Sequence, residues 1–222
     1  MSAQSTLERL SEAGFSLRAS LTIAEYNARV PRAWRAPSAR FASVWVVGNA
    51  GTALWSCFQA SPEYGWEVDP LDLYTRRCFR EAVAIDQDFA LYQDQREEQY
   101  LPMVELARTA GLGSPGRIGV LLHPDYGPWI SLRGVLFAQE PIQVPQRPSF
   151  DPCTGCPAPC EQACHASVVT AAGVDPVACY QARETLPECA LRCDARGACI
   201  LGPEHRFAPE QVAHHSRIRR RD

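Results

Sequence analysis

Eight of the ten cysteines lie in the last third of the chain, between Cys153 and Cys199. Four come in one run, D-P-C-T-G-C-P-A-P-C-E-Q-A-C-H, as Cys153, Cys156, Cys160 and Cys164. Four follow at wider intervals: Cys179, Cys189, Cys193 and Cys199. Thiols this dense serve metals or disulfides rather than a core. The N-terminus, M-S-A-Q-S-T-L-E-R-L-S-E-A-G-F, has no basic start and no apolar signal core, which predicts a cytoplasmic protein. In a reducing compartment clustered cysteines are more often ligands than cross-links. The first 150 residues hold only Cys57 and Cys78, so the cysteines do not read as a framework for the whole fold.

An iron–sulfur cluster takes four thiolates, from a compact run and a distant cysteine, and in two-cluster ferredoxins the fourth cysteine of a run serves the other cluster. C-x3-C-x3-C follows the opening C-x2-C, then Cys179, then C-x3-C-x5-C. Eight thiolates match two [4Fe–4S] clusters. The third cysteine of the run stands one residue later than is usual, and His165 follows the fourth where proline is common. Zinc is the main rival: Cys153, Cys156, Cys160 and Cys164 suffice for one tetrahedral ion, with His165 or His205 as substitutes. Disulfides or an empty site also stay open. His214 and His215 are adjacent and would point apart on a helix, and His123 precedes Pro124 in a turn, so neither place asks for a metal.

The rest of the chain must position these groups. It has 222 residues, 46% of them hydrophobic and 21% charged, enough for one large or two small domains. A net charge of -3 gives no general pull toward nucleic acid or membrane, and no apolar run is long enough to span a bilayer. Ser5 with Glu8 predicts a capped first helix, and residues 16–23 a strand. Residues 41–48, F-A-S-V-W-V-V-G, predict a strand buried on both faces, ending in a Gly48-Asn49-Ala50-Gly51 turn. Asp69-Pro70 opens a helix that buries Leu71, Tyr74, Cys78 and Ala82 on one side, leaving Cys78 an apolar filler, as Cys57 also reads. Pro102 starts another helix, closed by Gly111. Residues 117–123 and 128–139 predict a strand–turn–strand pair in a mixed sheet. Residues 140–152 carry four prolines and divide the chain into domains at 1–145 and 146–222. The closing R-I-R-R-R-D is basic and predicts a solvated tail.

Residues 106–138 resemble the epoxyqueuosine reductases. Ala110-Gly111-Leu112-Gly113 and Pro124-Asp125-Tyr126-Gly127-x-Trp129 match two of that family's turns in order and spacing. The cysteine run follows, then Asp175-x-x-x-Cys179, then three more cysteines, as in the family. The resemblance covers about residues 40–200. It implies an α/β protein: a nitroreductase-like, mixed-sheet, cobalamin-binding domain followed by a small ferredoxin-like domain. That domain would hold two [4Fe–4S] clusters on the eight cysteines. Corrinoid reductive dehalogenases share this layout, and cobalamin-processing proteins share the first domain. Ser114-Pro115 replace bulky apolar residues between the glycines, and Ile118 follows Arg117 where an Asn is expected. Counting back from the glycine turn puts Glu97 where the family has a proton-donating aspartate. The helical repeats that complete the tRNA surface of many such reductases do not follow Cys199.

The sequence thus predicts an oxidoreductase-like protein passing single electrons through two clusters, with cobalamin as its implied second cofactor. The implied partners are an electron-donor protein and a small-molecule or tRNA substrate, with no membrane. Two alternatives stand beside it: a non-enzymatic module holding zinc or nothing, and the same scaffold carrying flavin.

Overall fold

The computed structural model describes residues 2–94, 100–143, 146–147 and 149–216. The chain runs α1 (Ala3–Glu12), β1 (Leu17–Thr22), α2 (Ile23–Asn27), β2 (Ser43–Ala50), α3 (Ala53–Gln59), α4 (Pro70–Ala82), β3 (Asp88–Leu91) and α5 (Met103–Thr109). Three strands follow: β4 (Ser114–Pro115), β5 (Leu121–Leu122) and β6 (Ile130–Ala138). Then come α6 (Pro159–Gln162), β7 (Val169–Thr170), β8 (Gly173–Val174), α7 (Pro176–Thr185), α8 (Pro187–Ala190), α9 (Asp194–Gly197) and α10 (Pro209–Ser216). They form two compact units, Met1–Leu112 with Ser131–Pro148, and Gly113–Ile130 with Ser149–Asp222. The chain therefore leaves the first unit at Gly113 and returns at Ser131, ahead of the 145/146 boundary drawn from the prolines.

The first unit is an α/β structure on a four-stranded sheet, ordered β1-β2-β6-β3. β1 runs antiparallel to β2, with Ser20 opposite Trp45, and β3 antiparallel to β6, with Ala90 opposite Val135. β2 is central because its β-branched and aromatic residues suit a pleat covered on both sides. It begins two residues later than predicted and keeps Gly48 and Asn49 in the strand. Only Gly51, at φ +58°, makes the turn. A side chain at Gly48 would meet the Ser131 carbonyl at 2.4 Å, so this glycine lets β6 close against β2.

The helices pack by their apolar stripes. α1 buries Leu7 and Leu10. Its cap is Ser2, whose side chain accepts from the Ser5 N–H, so the predicted Ser5–Glu8 box lies one turn inside the helix. α4 starts at Asp69-Pro70 and buries Leu71, Tyr74, Cys78 and Ala82 as its spacing predicts. Asp69 itself is left-handed, at φ 42°, and its side chain makes no cap. Phe15 sits between Tyr74 and Phe79, with ring centroids at 6.1 and 5.6 Å. Glu63, 3% exposed, is held by Arg77 at 2.5 Å. Arg147, beyond the prolines, bonds Glu25 at 2.6 Å and the Ser20 carbonyl at 2.8 Å, which ties that segment to β1 and α2.

The predicted strand pair of 117–123 with 128–139 does not form. β5 is two residues long and pairs antiparallel with β4, while β6 belongs to the large sheet. Pro115-Gly116 and Gly119 explain the change: Gly119 donates to the Gly116 carbonyl and Gly116 to the Val120 carbonyl, folding 114–122 onto itself. In the second unit, Cys160, Val169 and Ala195 form a small buried cluster with Ile118, Cys164 and Val174 packed against it, and Leu121, Leu122, Trp129 and Phe207 are buried in that unit as well. Among the described residues no helix is long and apolar enough to cross a membrane.

Candidate functional site

The cysteines of the second unit stand on short loops and helix starts, each fixed locally. Asp151 orders the first loop. Its carboxylate accepts from the Cys153 and Thr154 N–H groups and from the Thr154 hydroxyl at 2.6 Å. Cys160 lies in α6, directly after Ala158-Pro159. Asp175 caps α7, its carboxylate accepting from Val177 and Ala178, and Cys179 falls one turn into that helix. This is the physical content of the Asp-x-x-x-Cys element: the aspartate sets where α7 begins and hence where its thiol points. Pro187 begins α8, which carries Cys189, and the Cys193 sulfur accepts from the Arg196 N–H to start α9.

The eight thiols divide into two sets. Cys153, Cys156, Cys160 and Cys199 line one recess, together with Ile118 and Ile200. Cys164, Cys179, Cys189 and Cys193 line another. The electrostatic couplings split the same way: Cys160 feels Cys153, Cys199 and Cys156, whereas Cys189 feels Cys164, Cys179 and Cys193. The fourth cysteine of the run has thus crossed to the later group, and the last cysteine has returned to the first. All ten cysteines are free thiols. Burial pushes the thiols of Cys160, Cys179, Cys189 and Cys199 above their ordinary range. Backbone N–H groups of Leu201 and Ile200 partly oppose this at Cys199, and that of Ala158 donates to the Cys156 sulfur at 3.4 Å.

Among the described residues no three His, Cys, Asp or Glu side chains are drawn tightly enough to hold a single metal ion. The recesses differ in their walls. Arg117 borders the first and is paired with Glu161 at 2.6 Å. The second is wider and carries charge, with Arg183, Glu188, Arg192, Asp194 and Arg196. His165 lies on its wall but bonds Asp194 at 2.7 Å. Arg196 is stacked between Trp129 and Phe207, at 5.2 and 4.8 Å, and burial pulls its pKa to about 10.

The Pro124–Trp129 turn packs against the Leu201-Gly202 segment that follows Cys199. Gly127, at φ +54°, lies under the Leu201 carbonyl, where a Cβ would come within 2.2 Å. Gly202, at φ +56°, lies against Tyr126, where a Cβ would come within 2.5 Å of the carbonyl carbon. The two glycines let the turn and the 199–202 segment interlock. His205 sits on the Tyr126 ring at 4.6 Å and Tyr126 on His123 at 4.8 Å. His123 Nδ1 accepts from the Asp125 and Tyr126 N–H groups, and burial lowers its pKa. The imidazole is thus a turn-former. His214 and His215 are on α10, with ring planes 80° apart. Sequence reasoning missed Asp151 and the Gly127–Gly202 interlock, although D-P-C at the head of a thiol loop is an Asx-turn signal.

The first unit holds a different feature. Ser43 Oγ, Trp45 Nε1 and both amide atoms of Asn49 are buried without a hydrogen-bond partner among the described residues, as are Nε and Nη2 of Arg133. Ser43, Trp45 and Asn49 alternate along β2 and so share its face. Arg133 faces Asp72 at 4.0 Å, and burial drives its pKa to about 10. Glu97 lies outside the described residues, as does the basic run from 217 on.

No family model matches the chain, and no curated protein matches it in sequence. Solved structures do. A C. elegans B12-trafficking protein CblC, a homologue of human MMACHC, superposes with a TM-score of 0.57 at 15% identity, over 97% of this chain and 90% of that one. An epoxyqueuosine reductase with an epoxyqueuosine-modified tRNA-Tyr stem loop gives 0.54 at 14%, over 95% of this chain and 68% of that one. The epoxyqueuosine reductase of Streptococcus thermophilus gives 0.51 at 14%, with this chain spanning 66% of its length. The chain shares the fold of the proteins that its two turn motifs resemble.

Proposed function

We propose that this chain is an iron–sulfur redox protein whose eight cysteines hold two [4Fe–4S] clusters. One cluster is assigned to Cys153, Cys156, Cys160 and Cys199, the other to Cys164, Cys179, Cys189 and Cys193. The observation that carries this reading is the partition of the thiols into two recesses of four, with the fourth cysteine of the run exchanged. That exchange belongs to two-cluster ferredoxin modules. A zinc ion would need its donors converging on one point, about 2.3 Å from each sulfur. The non-enzymatic zinc or empty module is the alternative reading, and metal analysis of the purified protein separates the two. A cluster supplies reversible one-electron chemistry when bound. The chain's own part is to direct thiolates and backbone N–H groups at it, from Ala158, Ile200 and Leu201 on one side and Arg196 on the other.

The neighbours in structure are a B12-trafficking protein and reductases, which agrees with a redox or corrinoid role. We assign the first unit, within residues 1–145, to a corrinoid, and the Cys-rich part, within 146–222, to the clusters. The unpaired donors of Trp45, Asn49 and Arg133 fit a ligand that presents amide carbonyls and a phosphodiester, as a corrinoid does. Bound there, the corrinoid supplies cobalt-centred reductive chemistry. Trp45 and Asn49 would orient its acceptor groups from that face of β2, and Arg133 from β6. The substrate class, a small molecule or a modified tRNA, follows only from the reductase neighbours.

The partition is testable by pairs. Cys164→Ala should remove half the iron, and Cys164→Ala with Cys179→Ala should remove no more. Cys160→Ala with Cys164→Ala should remove nearly all. If Cys164→Ala instead removes further iron in a Cys179→Ser background and none in a Cys160→Ala background, the assignment of Cys164 is wrong.

A further inference from the structure

Among the described residues, Arg196 is the one arginine of the two cysteine recesses that is stacked on aromatic rings. It lines the second recess, and the Trp129 and Phe207 rings that hold it are themselves buried. Nη2 donates to the Pro128 carbonyl, and Nε has no acceptor among the described residues. The charge this guanidinium feels is the Cys193 thiolate, and the Arg196 backbone N–H donates to the same sulfur at 3.4 Å. The other charges of the recess are answered locally. Arg192 pairs with Asp194 at 3.2 Å, and Asp194 also bonds His165 at 2.7 Å. Arg183 bonds the Ser216 carbonyl, and the exposed Glu188 is its opposite in sign. In the first recess Arg117 is neutralised by Glu161 at 2.6 Å. A desolvated cation without a carboxylate is costly. The second set of thiols is the negative charge that answers it.

Taken with the iron–sulfur reading, on which this rests, we infer that Arg196 raises the reduction potential of the centre held by Cys164, Cys179, Cys189 and Cys193. Reduction adds one negative charge to that centre, taken from a low-potential one-electron donor, with no bond or proton moved. A cation fixed between two buried rings stabilises the added charge more than water-screened arginines at the rim can. Its pKa of about 10 leaves it charged at neutral pH. The first recess has no equivalent, so the effect falls on one centre.

The test is a reductive titration of iron-loaded, full-length protein followed by electron paramagnetic resonance, with iron counted on each sample. Arg196→Met should make one centre at least about tenfold harder to reduce, about 59 mV for one electron, and leave the other within about threefold. The wave that moves should be the one that Cys164→Ala abolishes. Arg196→Lys keeps the charge without the planar stack and should stay within about threefold of the unaltered protein. Full iron with unmoved waves in Arg196→Met, or both waves moved alike, overturns the role of Arg196. So does a moved wave that survives Cys164→Ala, or an Arg196→Lys shift as large as that of Arg196→Met, which would assign the effect to packing. If Arg196→Met loses iron, Arg196→Gln, with a donor but no charge, is titrated in its place. Loss of iron in both makes Arg196 a structural residue and overturns the proposal. Unaltered protein that takes up no iron overturns the iron–sulfur reading beneath it.

Discussion

Gly127→Ala tests whether the Pro124–Trp129 turn serves the first cysteine set. An alanine there would place Cβ 2.2 Å from the Leu201 carbonyl oxygen, which must retreat by about 1.2 Å to reach the 3.4 Å of ordinary contact. The left-handed backbone, φ +54°, costs an alanine about 1–2 kcal/mol. Overpacking against backbone adds about 1–3 kcal/mol. The expected loss is thus about 2–5 kcal/mol, and it falls two residues from Cys199. Gly155→Ala is the control: φ is +72°, but a Cβ there meets nothing within 4 Å. Only the conformational cost of about 1–2 kcal/mol then applies. Urea unfolding of the second unit, with iron counted on the same samples, separates the two. Gly127→Ala should unfold at lower urea than Gly155→Ala and lose iron from the Cys153, Cys156, Cys160 and Cys199 set. Equal midpoints with equal iron would refute the interlock.

Other expectations follow from single contacts. Arg77 holds the Glu63 carboxyl below its ordinary pKa, chiefly through their hydrogen bond. Its stabilisation is therefore full above the unfolded carboxylate pKa and lost as pH falls through the lower folded value. Because Arg77 is 40% exposed, Glu63→Gln should flatten the acid limb of a stability–pH curve by no more than about 1 kcal/mol. Arg133→Met should leave the thermal midpoint of ligand-free protein unchanged or raised, since a poorly paired buried guanidinium gives way to apolar volume. The same variant should weaken corrinoid binding in a spectroscopic titration, and unchanged binding would remove Arg133 from that site. Asp175→Ala deletes the α7 cap and should cost about 1 kcal/mol by urea unfolding, with Asp175→Asn losing less.

Much of the first unit was legible because its signals are local. Val44-Trp45-Val46-Val47 can hardly be anything but a covered strand, and Asp69-Pro70 with Leu71, Tyr74 and Cys78 marks α4. The caps were less legible, since Ser2 and Ser5 offer the same chemistry one turn apart and only packing of Leu7 and Leu10 chooses between them. The hairpin misreading at 117–139 has a similar cause. Two apolar runs around a turn look like partners, but Gly116 and Gly119 give the first run a nearer one in β4. At the site, the ligand types and their number could be counted in sequence. Their partition could not, because the return of Cys199 depends on Gly127 and Gly202, far apart in the chain. The buried donors of Asn49 and Arg133 were also hidden, since polarity within a strand does not reveal burial without a partner.

The central claim rests on iron. Iron, acid-labile sulfide and zinc should be measured together on protein purified without oxygen. The account predicts about eight iron and eight sulfide per chain, four of each for each set of cysteines, with zinc well below one. Stoichiometric zinc, or neither metal in folded protein, would contradict it.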